Sequence, residues 1–220
     1  MEDFRIKYRP RELSELWGND DVKNRWERFR AAKTFPKAIV LYGNHGTGKT
    51  TLARIFAQDI LSVLDNKVAL CDGFHELDST QYDSDSMRRV LNSVTSYRHG
   101  TVVFFFDEFQ RMPLTAQEIL LKPIEDTDEI FFIFAATDLG RLDTGILSRS
   151  TKFVLNNPPK LVLLEKLAEI AQWENIGISK EALEELLDSS KYSPRECLGN
   201  LQSLIGFGRV ENPAIIQQIL

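Results

Sequence analysis

Cysteine is scarce: Cys71 and Cys197 are the two in 220 residues, too few for a disulfide framework or a zinc knuckle. No apolar run approaches the ~20 residues that span a bilayer. The opening Met1-Glu2-Asp3-Phe4-Arg5 is charged from its first residues, which argues against a secretory signal peptide. Internal repeats and low-complexity tracts are also absent. The chain is therefore expected in the cytoplasm, with reduced thiols and no membrane partner. Basic charge is not in excess either. A formal net charge of −5 argues against wholesale coating of nucleic acid. It leaves room for a local basic groove, because phosphate contacts depend on the charge pattern along one surface. What is present, 43% hydrophobic and 27% charged residues, suits a globular chain with one good core or a larger and a smaller domain in sequence.

Helical patterns alternate with short apolar runs over the first part of the chain, which is how a parallel α/β sheet reads. The runs are Ala38–Tyr42, Phe74–Leu77, Val102–Phe106, Ile130–Ala136 and Thr151–Leu155. Val103-Phe104-Phe105-Phe106 does not alternate with polar residues, so that strand is expected to be covered on both faces. Helices are predicted over Val22–Ala32, Lys49–Leu64, Ser84–Tyr97 and Leu114–Glu125. Asn156-Asn157-Pro158-Pro159 breaks the pattern. Beyond it Leu161–Glu174, Lys180–Ser189 and Pro194–Gly206 read as amphipathic helices, with no convincing strand. Ser193 before Pro194, with Glu196 in the first turn, is a good helix start. The expectation is an α/β domain over residues 1–157 and a small all-helical domain over residues 158–220.

Two motifs carry chemistry. Gly43-Asn44-His45-Gly46-Thr47-Gly48-Lys49-Thr50 satisfies G-x-x-x-x-G-K-[ST], after an apolar run and before a helix. Its glycines let backbone N–H groups close around phosphate oxygens, and the helix N-terminus adds a favourable dipole. Lys49 is expected to reach the outer phosphates, Thr50 to offer its hydroxyl to Mg²⁺, and Thr51 to lie in the same nucleotide pocket. Val102-Val103-Phe104-Phe105-Phe106-Asp107-Glu108 is an apolar strand ending in two acids. Such a strand delivers carboxylates to its C-terminal end, where open α/β sheets bind ligands. Asp107 would hold Mg²⁺, directly or through water, and Glu108 would orient or deprotonate the attacking water.

Flanking segments narrow the picture. Lys7-Tyr8-Arg9-Pro10 followed by Leu13-Ser14-Glu15-Leu16-Trp17-Gly18-Asn19 resembles the opening box of the clamp-loader AAA+ ATPases. Leu120-Leu121-Lys122-Pro123-Ile124-Glu125-Asp126 is similar to a second segment of that family. Phe134-Ala135-Ala136-Thr137-Asp138 and Ile146-Leu147-Ser148-Arg149-Ser150 resemble its sensor-1 strand and S-R-C box, and Ser193-Pro194-Arg195-Glu196 its sensor-2 segment. These matches run in order from about Lys7 to about Leu204.

The resemblance implies an AAA+ fold, a five-stranded parallel sheet flanked by helices and followed by a helical lid. It implies a Mg²⁺-dependent ATPase that works with other AAA+ subunits, in a homo- or hetero-oligomer, on DNA, with a sliding clamp as a further partner. Tyr8, Arg9, Pro10 and Val22 would line the adenine pocket. Thr137 would be sensor 1, Arg149 an arginine finger acting on a neighbour's ATP, and Arg195 a sensor for the γ-phosphate of the chain's own ATP. A planar, permanently charged guanidinium suits both arginine roles. Ser150 stands where the box has cysteine, and the zinc-binding cysteine cluster of bacterial gamma/tau is missing, only Cys71 lying in that region. Family members continue into a helical collar, whereas this chain stops at Leu220, as a fragment or as a protein that assembles differently. Rival readings are another AAA+ DNA machine, such as a transposition regulator, junction motor or defence ATPase, and a nucleotide-locked adaptor. Arg88 and Arg89 are open either to phosphate or to solvent. His75 and His99 lack metal-ligand spacing, and Trp17, Trp26 and Trp173 read as packing residues.

Overall fold

A computed structural model describes residues 2–64, 73–97 and 100–219; Cys71 and His99 lie outside them. The chain divides into two compact units. One comprises Asp21–Asn44 and Lys49–Leu155; the other comprises Met1–Asp20, His45–Gly48 and Asn156–Leu220.

The first unit is a sheet layered with helices. Its strands are β1 (Ala38–Tyr42), β2 (Phe74–Asp78), β3 (Val102–Asp107), β4 (Ile130–Ala136) and β5 (Thr151–Val154), in the spatial order β2-β3-β4-β1-β5. Every pairing is parallel, so all five C-terminal ends lie at one edge. β3 and β4 are buried along nearly their whole length, as their unbroken apolar runs require. One sheet face stacks phenylalanines across strands: Phe104 on Phe132 with ring centroids 5.8 Å apart, and Phe106 on Phe134 at 5.6 Å. Met87 and Leu91 of the helix Ser84–Tyr97 close over it. On the other side the helix Lys49–Leu64 packs on β1, β3 and β4. Its Phe56 stacks on Trp26, whose ring is fully buried and whose Nε1 donates to Asp59 at 2.8 Å.

The single helix expected over Leu114–Glu125 is broken. Leu114–Gln117 is helical, Glu118–Leu120 tightens to a 3₁₀ turn, and the helix resumes over Leu121–Asp126. Pro123 explains the break, since it offers no N–H to the Ile119 carbonyl and its ring crowds that carbonyl.

The second unit is mainly helical, with helices Phe4–Lys7, Lys160–Trp173, Lys180–Ser189, Pro194–Ser203 and Pro213–Ile219. The N-terminal segment belongs with it, a departure from a cut at residue 157. Phe4 is fully buried among Leu163, Leu167, Cys197 and Leu201, and its N–H donates to Gln202 Oε1 at 3.0 Å. The all-helical expectation also needs correction: Gly177–Ile178 pairs in parallel with Arg209–Val210. Two residues carry no periodicity, and the pairing relies on Gly177, where a Cβ would lie 3.3 Å from the Arg209 Cα. Trp173 is not a core residue, being 64% exposed. Cys197 is buried in the core, and burial pushes its thiol up to about 11, so it packs as a small apolar group.

Candidate functional site

In the sheet unit, the parallel order sets the ends of β1, β3 and β4 side by side. The backbone passes from β1 into Gly43, whose N–H donates to the Ala136 carbonyl at 3.3 Å. Lys49 opens the helix Lys49–Leu64, and its ammonium donates to the Gly43 and Asn44 carbonyls, each at 2.8 Å. Thr50 Oγ1 donates to Asp107 Oδ2 at 2.8 Å, while Asp107 Oδ1 accepts the Glu108 N–H at 2.9 Å. Oδ2 of Asp107 thereby faces the loop, while Oδ1 is tied to the backbone of its own turn. Thr51, one residue further into the helix, is half-buried.

Glu108 sits in the left-handed region at φ 50° and ψ 40°, a conformation that costs a non-glycine residue about 1 kcal/mol or more. The turn after it, Phe109–Arg111, holds that conformation. Phe109 is fully buried, with its ring centroid 4.3 Å from that of Phe134. Gln110 Oε1 accepts the Thr137 N–H at 3.2 Å, tying the end of β4 to the end of β3. Arg111 Nε pairs with Glu108 Oε2 at 2.7 Å. Gln110 and Arg111 escaped sequence reasoning, because nothing in their spacing says which strand end they reach.

Gln117 was missed for the same reason. It is fully buried and uses both ends of its amide. Nε2 donates to the Met112 and Arg141 carbonyls at 2.9 and 3.2 Å, and Oε1 accepts the Asp143 N–H at 2.8 Å. Asp143 in turn caps the helix Thr144–Arg149, accepting from the Gly145 and Ile146 N–H groups at 2.8 and 3.1 Å. Arg149 is the last residue of that helix, and its guanidinium pairs with Glu125. Arg88 pairs with Asp85 at 3.3 Å, and both Arg88 and Arg89 are exposed. Val22 is buried in the helix Asp20–Ala32.

The tip of the loop, His45–Gly48, belongs to the second unit. Gly46 and Gly48 have φ of 78° and 95°, which favour glycine at both places. A Cβ at Gly46 would also displace the Ser193 hydroxyl, meeting its Oγ at 2.3 Å, and would touch the Arg195 Cβ at 3.5 Å. The structure thus puts Arg195, in the first turn of Pro194–Ser203, beside the loop tip. The helix starts at Pro194, but the Ser193 side chain makes no capping hydrogen bond. Thr47 is buried and His45 exposed.

Tyr8 stacks on Trp173 with ring centroids 6.1 Å apart and bonds through its hydroxyl to Glu174. Burial, then that hydrogen bond and the charge behind it, raise the Tyr8 phenol above its ordinary value. Glu174 is held below the ordinary glutamate value by its hydrogen bond from Lys7 and, after it, the one from Tyr8. Arg9 and Pro10 are half-buried.

Among the described residues no cluster of three or more His, Cys, Asp or Glu is assembled. The Thr50 hydroxyl and Asp107 carboxylate fit Mg²⁺, which keeps much of its water and takes its other ligands from phosphate. A family model described as the ATPase family associated with various cellular activities (AAA) matches residues 39–157. The chain belongs to the AAA family. This AAA chain therefore carries a nucleotide-binding domain.

It is 28% identical to the DNA polymerase III subunit gamma/tau of Mycoplasma pneumoniae, over 91% of this chain and 32% of that protein. It is 28% identical to the replication factor C small subunit of Archaeoglobus fulgidus, over 100% of this chain and 70% of that protein. With the corresponding subunit of Sulfurisphaera tokodaii the identity is 30%, over 95% and 64%. The AAA chain thus spans about a third of the gamma/tau relative's length. Among solved structures, the RuvB Holliday junction branch migration motor of Thermotoga maritima matches with a TM-score of 0.76. That likeness has 23% identity and covers 96% of this chain and 72% of the other, and it shows a shared fold. Among the described residues no helix is long and apolar enough to cross a membrane.

Proposed function

We propose that this AAA chain binds ATP with Mg²⁺ and hydrolyses it as a clamp-loader-type subunit, in assemblies with other AAA subunits on DNA. The observation that carries the reading is the hydrogen bond from Thr50 to Asp107, with Glu108 next in the chain and Thr137 tied to the same strand end through Gln110. In this reading the loop N–H groups and the Lys49 ammonium hold the phosphates, and Lys49 exchanges the Gly43 and Asn44 carbonyls for phosphate oxygens. Thr50 and Asp107 would hold Mg²⁺, which when bound supplies positive charge against the phosphate oxygens. Glu108 takes a proton from, or orients, the attacking water, and the Thr137 side chain senses that water or the outer phosphate. Arg195 acts on the chain's own nucleotide and Arg149 on one held by a neighbouring subunit; Tyr8, Arg9, Pro10 and Val22 bind the base. Similarity to gamma/tau and replication factor C subunits over nearly the whole chain supports the clamp-loader reading over other DNA-associated ATPases of the family.

The test is ATP turnover by the chain alone, with primed DNA, and with primed DNA plus a sliding clamp. Stimulation by DNA and clamp together is expected. Lys49→Ala is expected to lose nucleotide binding, and Glu108→Gln to keep binding but lose turnover by about 100-fold or more. Stimulation by DNA alone, with no response to a clamp, would point to another AAA DNA machine. Unchanged turnover in both variants would end the ATPase reading.

A further inference from the structure

Two of the three guanidinium nitrogens of Arg149 are engaged, and the third makes no hydrogen bond among the described residues. Arg149 Nε meets the Glu125 carboxylate, and Nη1 donates to the Gly145 carbonyl at 3.0 Å and to the Ser148 hydroxyl at 3.4 Å. Glu125 stands in the helix Leu121–Asp126 and Arg149 ends the helix Thr144–Arg149, so the contact spans two helices. Gly145 leaves room here, since a Cβ there would come within 2.9 Å of the Leu121 Cδ2 and 3.3 Å of the Arg149 Nη1, and those side chains would have to shift. The helix carrying Arg149 is itself fixed at its start by the Asp143 cap and, through it, by buried Gln117. A guanidinium presents five N–H donors in a rigid fork. These contacts occupy Nε and Nη1, and among the described residues none engages Nη2, which leaves its two N–H donors for an acceptor outside the chain. The Arg149 side chain is 39% exposed.

We infer that Glu125 is a positioning residue: it sets the Arg149 guanidinium so that its Nη2 donors are presented to the triphosphate held by a second AAA subunit. The inference rests on the interface reading of Arg149 proposed above and adds how the side chain is aimed. A flexible arginine meeting a partner's phosphate loses rotamer freedom at the moment of contact. One already held by a carboxylate, a carbonyl and a hydroxyl has lost it beforehand, which is the advantage of pre-organisation. Glu125 is not a lock that hides Arg149. A lock would compete with phosphate for the same donors, whereas Glu125 takes Nε and leaves Nη2 open.

The experiment uses the full chain assembled with primed DNA and its AAA partners. It measures kcat and KM for ATP in Glu125→Gln, Glu125→Ala and Arg149→Ala, together with nucleotide affinity and melting temperature of each chain alone. Arg149→Ala is expected to lower kcat by about 1,000-fold, the usual worth of such an arginine. Both Glu125 variants are expected to lower kcat by about fivefold, the most that a half-exposed ion pair supports, with KM and nucleotide affinity unchanged and the melting temperature lower by no more than about 4 °C. If Arg149→Ala collapses turnover while both Glu125 variants match or exceed the parent, the positioning role is wrong and the interface reading stands. If the Glu125 variants lower nucleotide affinity as much as kcat, or the melting temperature by more than about 4 °C, Glu125 is a structural residue and the inference also fails. If Arg149→Ala itself turns over normally, the interface reading falls and takes the inference with it.

Discussion

Replacing Gln117 with leucine keeps the side chain's volume close to the original and removes all of its hydrogen bonds. Gln117 is fully buried, so no water replaces what is lost. The Met112 carbonyl loses its 2.9 Å bond, the Arg141 carbonyl its 3.2 Å bond and the Asp143 N–H its 2.8 Å bond. A buried backbone group left unpaired costs about 1–3 kcal/mol. The Met112 bond is buried and the other two partly so, which places the sum near 3 kcal/mol at about 1 kcal/mol each. For a chain of this size, 3 kcal/mol corresponds to a fall of about 6–12 °C in melting temperature. The assay is thermal unfolding followed by circular dichroism, with Gln117→Glu as a second variant that keeps the acceptor and loses the donor. Gln117→Leu melting within about 2 °C of the parent would refute the claim that these three backbone groups depend on the Gln117 amide.

Two further outcomes follow from the geometry. Glu108→Gly relieves the left-handed strain at φ 50°, worth about 1 kcal/mol, so the variant is expected to melt no lower than the parent while losing ATP turnover. A fall of more than about 3 °C would show that the Glu108 backbone is not strained. Glu174 has its folded-state value lowered by Lys7 and Tyr8, so its contribution to stability is present above the ordinary glutamate value and lost as pH falls through the lowered one. The melting gap between the parent and Glu174→Gln is therefore expected to shrink as pH drops from about 5 toward 3. A gap constant over that range would remove the ionic part of the cluster.

The loop Gly43–Thr50 and the acids Asp107 and Glu108 were legible because their chemistry is local. A phosphate loop needs its glycines and lysine at fixed spacing along one stretch of backbone, and a buried strand that ends in carboxylates announces itself by its apolar run. The central strands were legible for the same reason, since burial on both faces leaves no polar residue within Val102–Phe106 or Ile130–Ala136. The break one turn before Pro123 also has a local cause, since proline removes the N–H that the Ile119 carbonyl would accept.

Other features depend on which distant segments meet. Phe4 lies far along the chain from the helical core it fills, and the pairing of Gly177–Ile178 with Arg209–Val210 is too short to leave a pattern. The partnerships of Gln110 with Thr137, Gln117 with Asp143 and Glu125 with Arg149 each span more than twenty residues. No periodicity marks them. By itself the sequence determined that a phosphate loop follows a strand and that two carboxylates end another, because both are set by backbone conformation over a few residues. Only the tertiary structure decided that Thr50 meets Asp107, that Glu108 is strained, and that Arg149 is held through Nε and Nη1. Those facts come from parallel strands ending at one edge and from side chains that find hydrogen-bond partners across the fold.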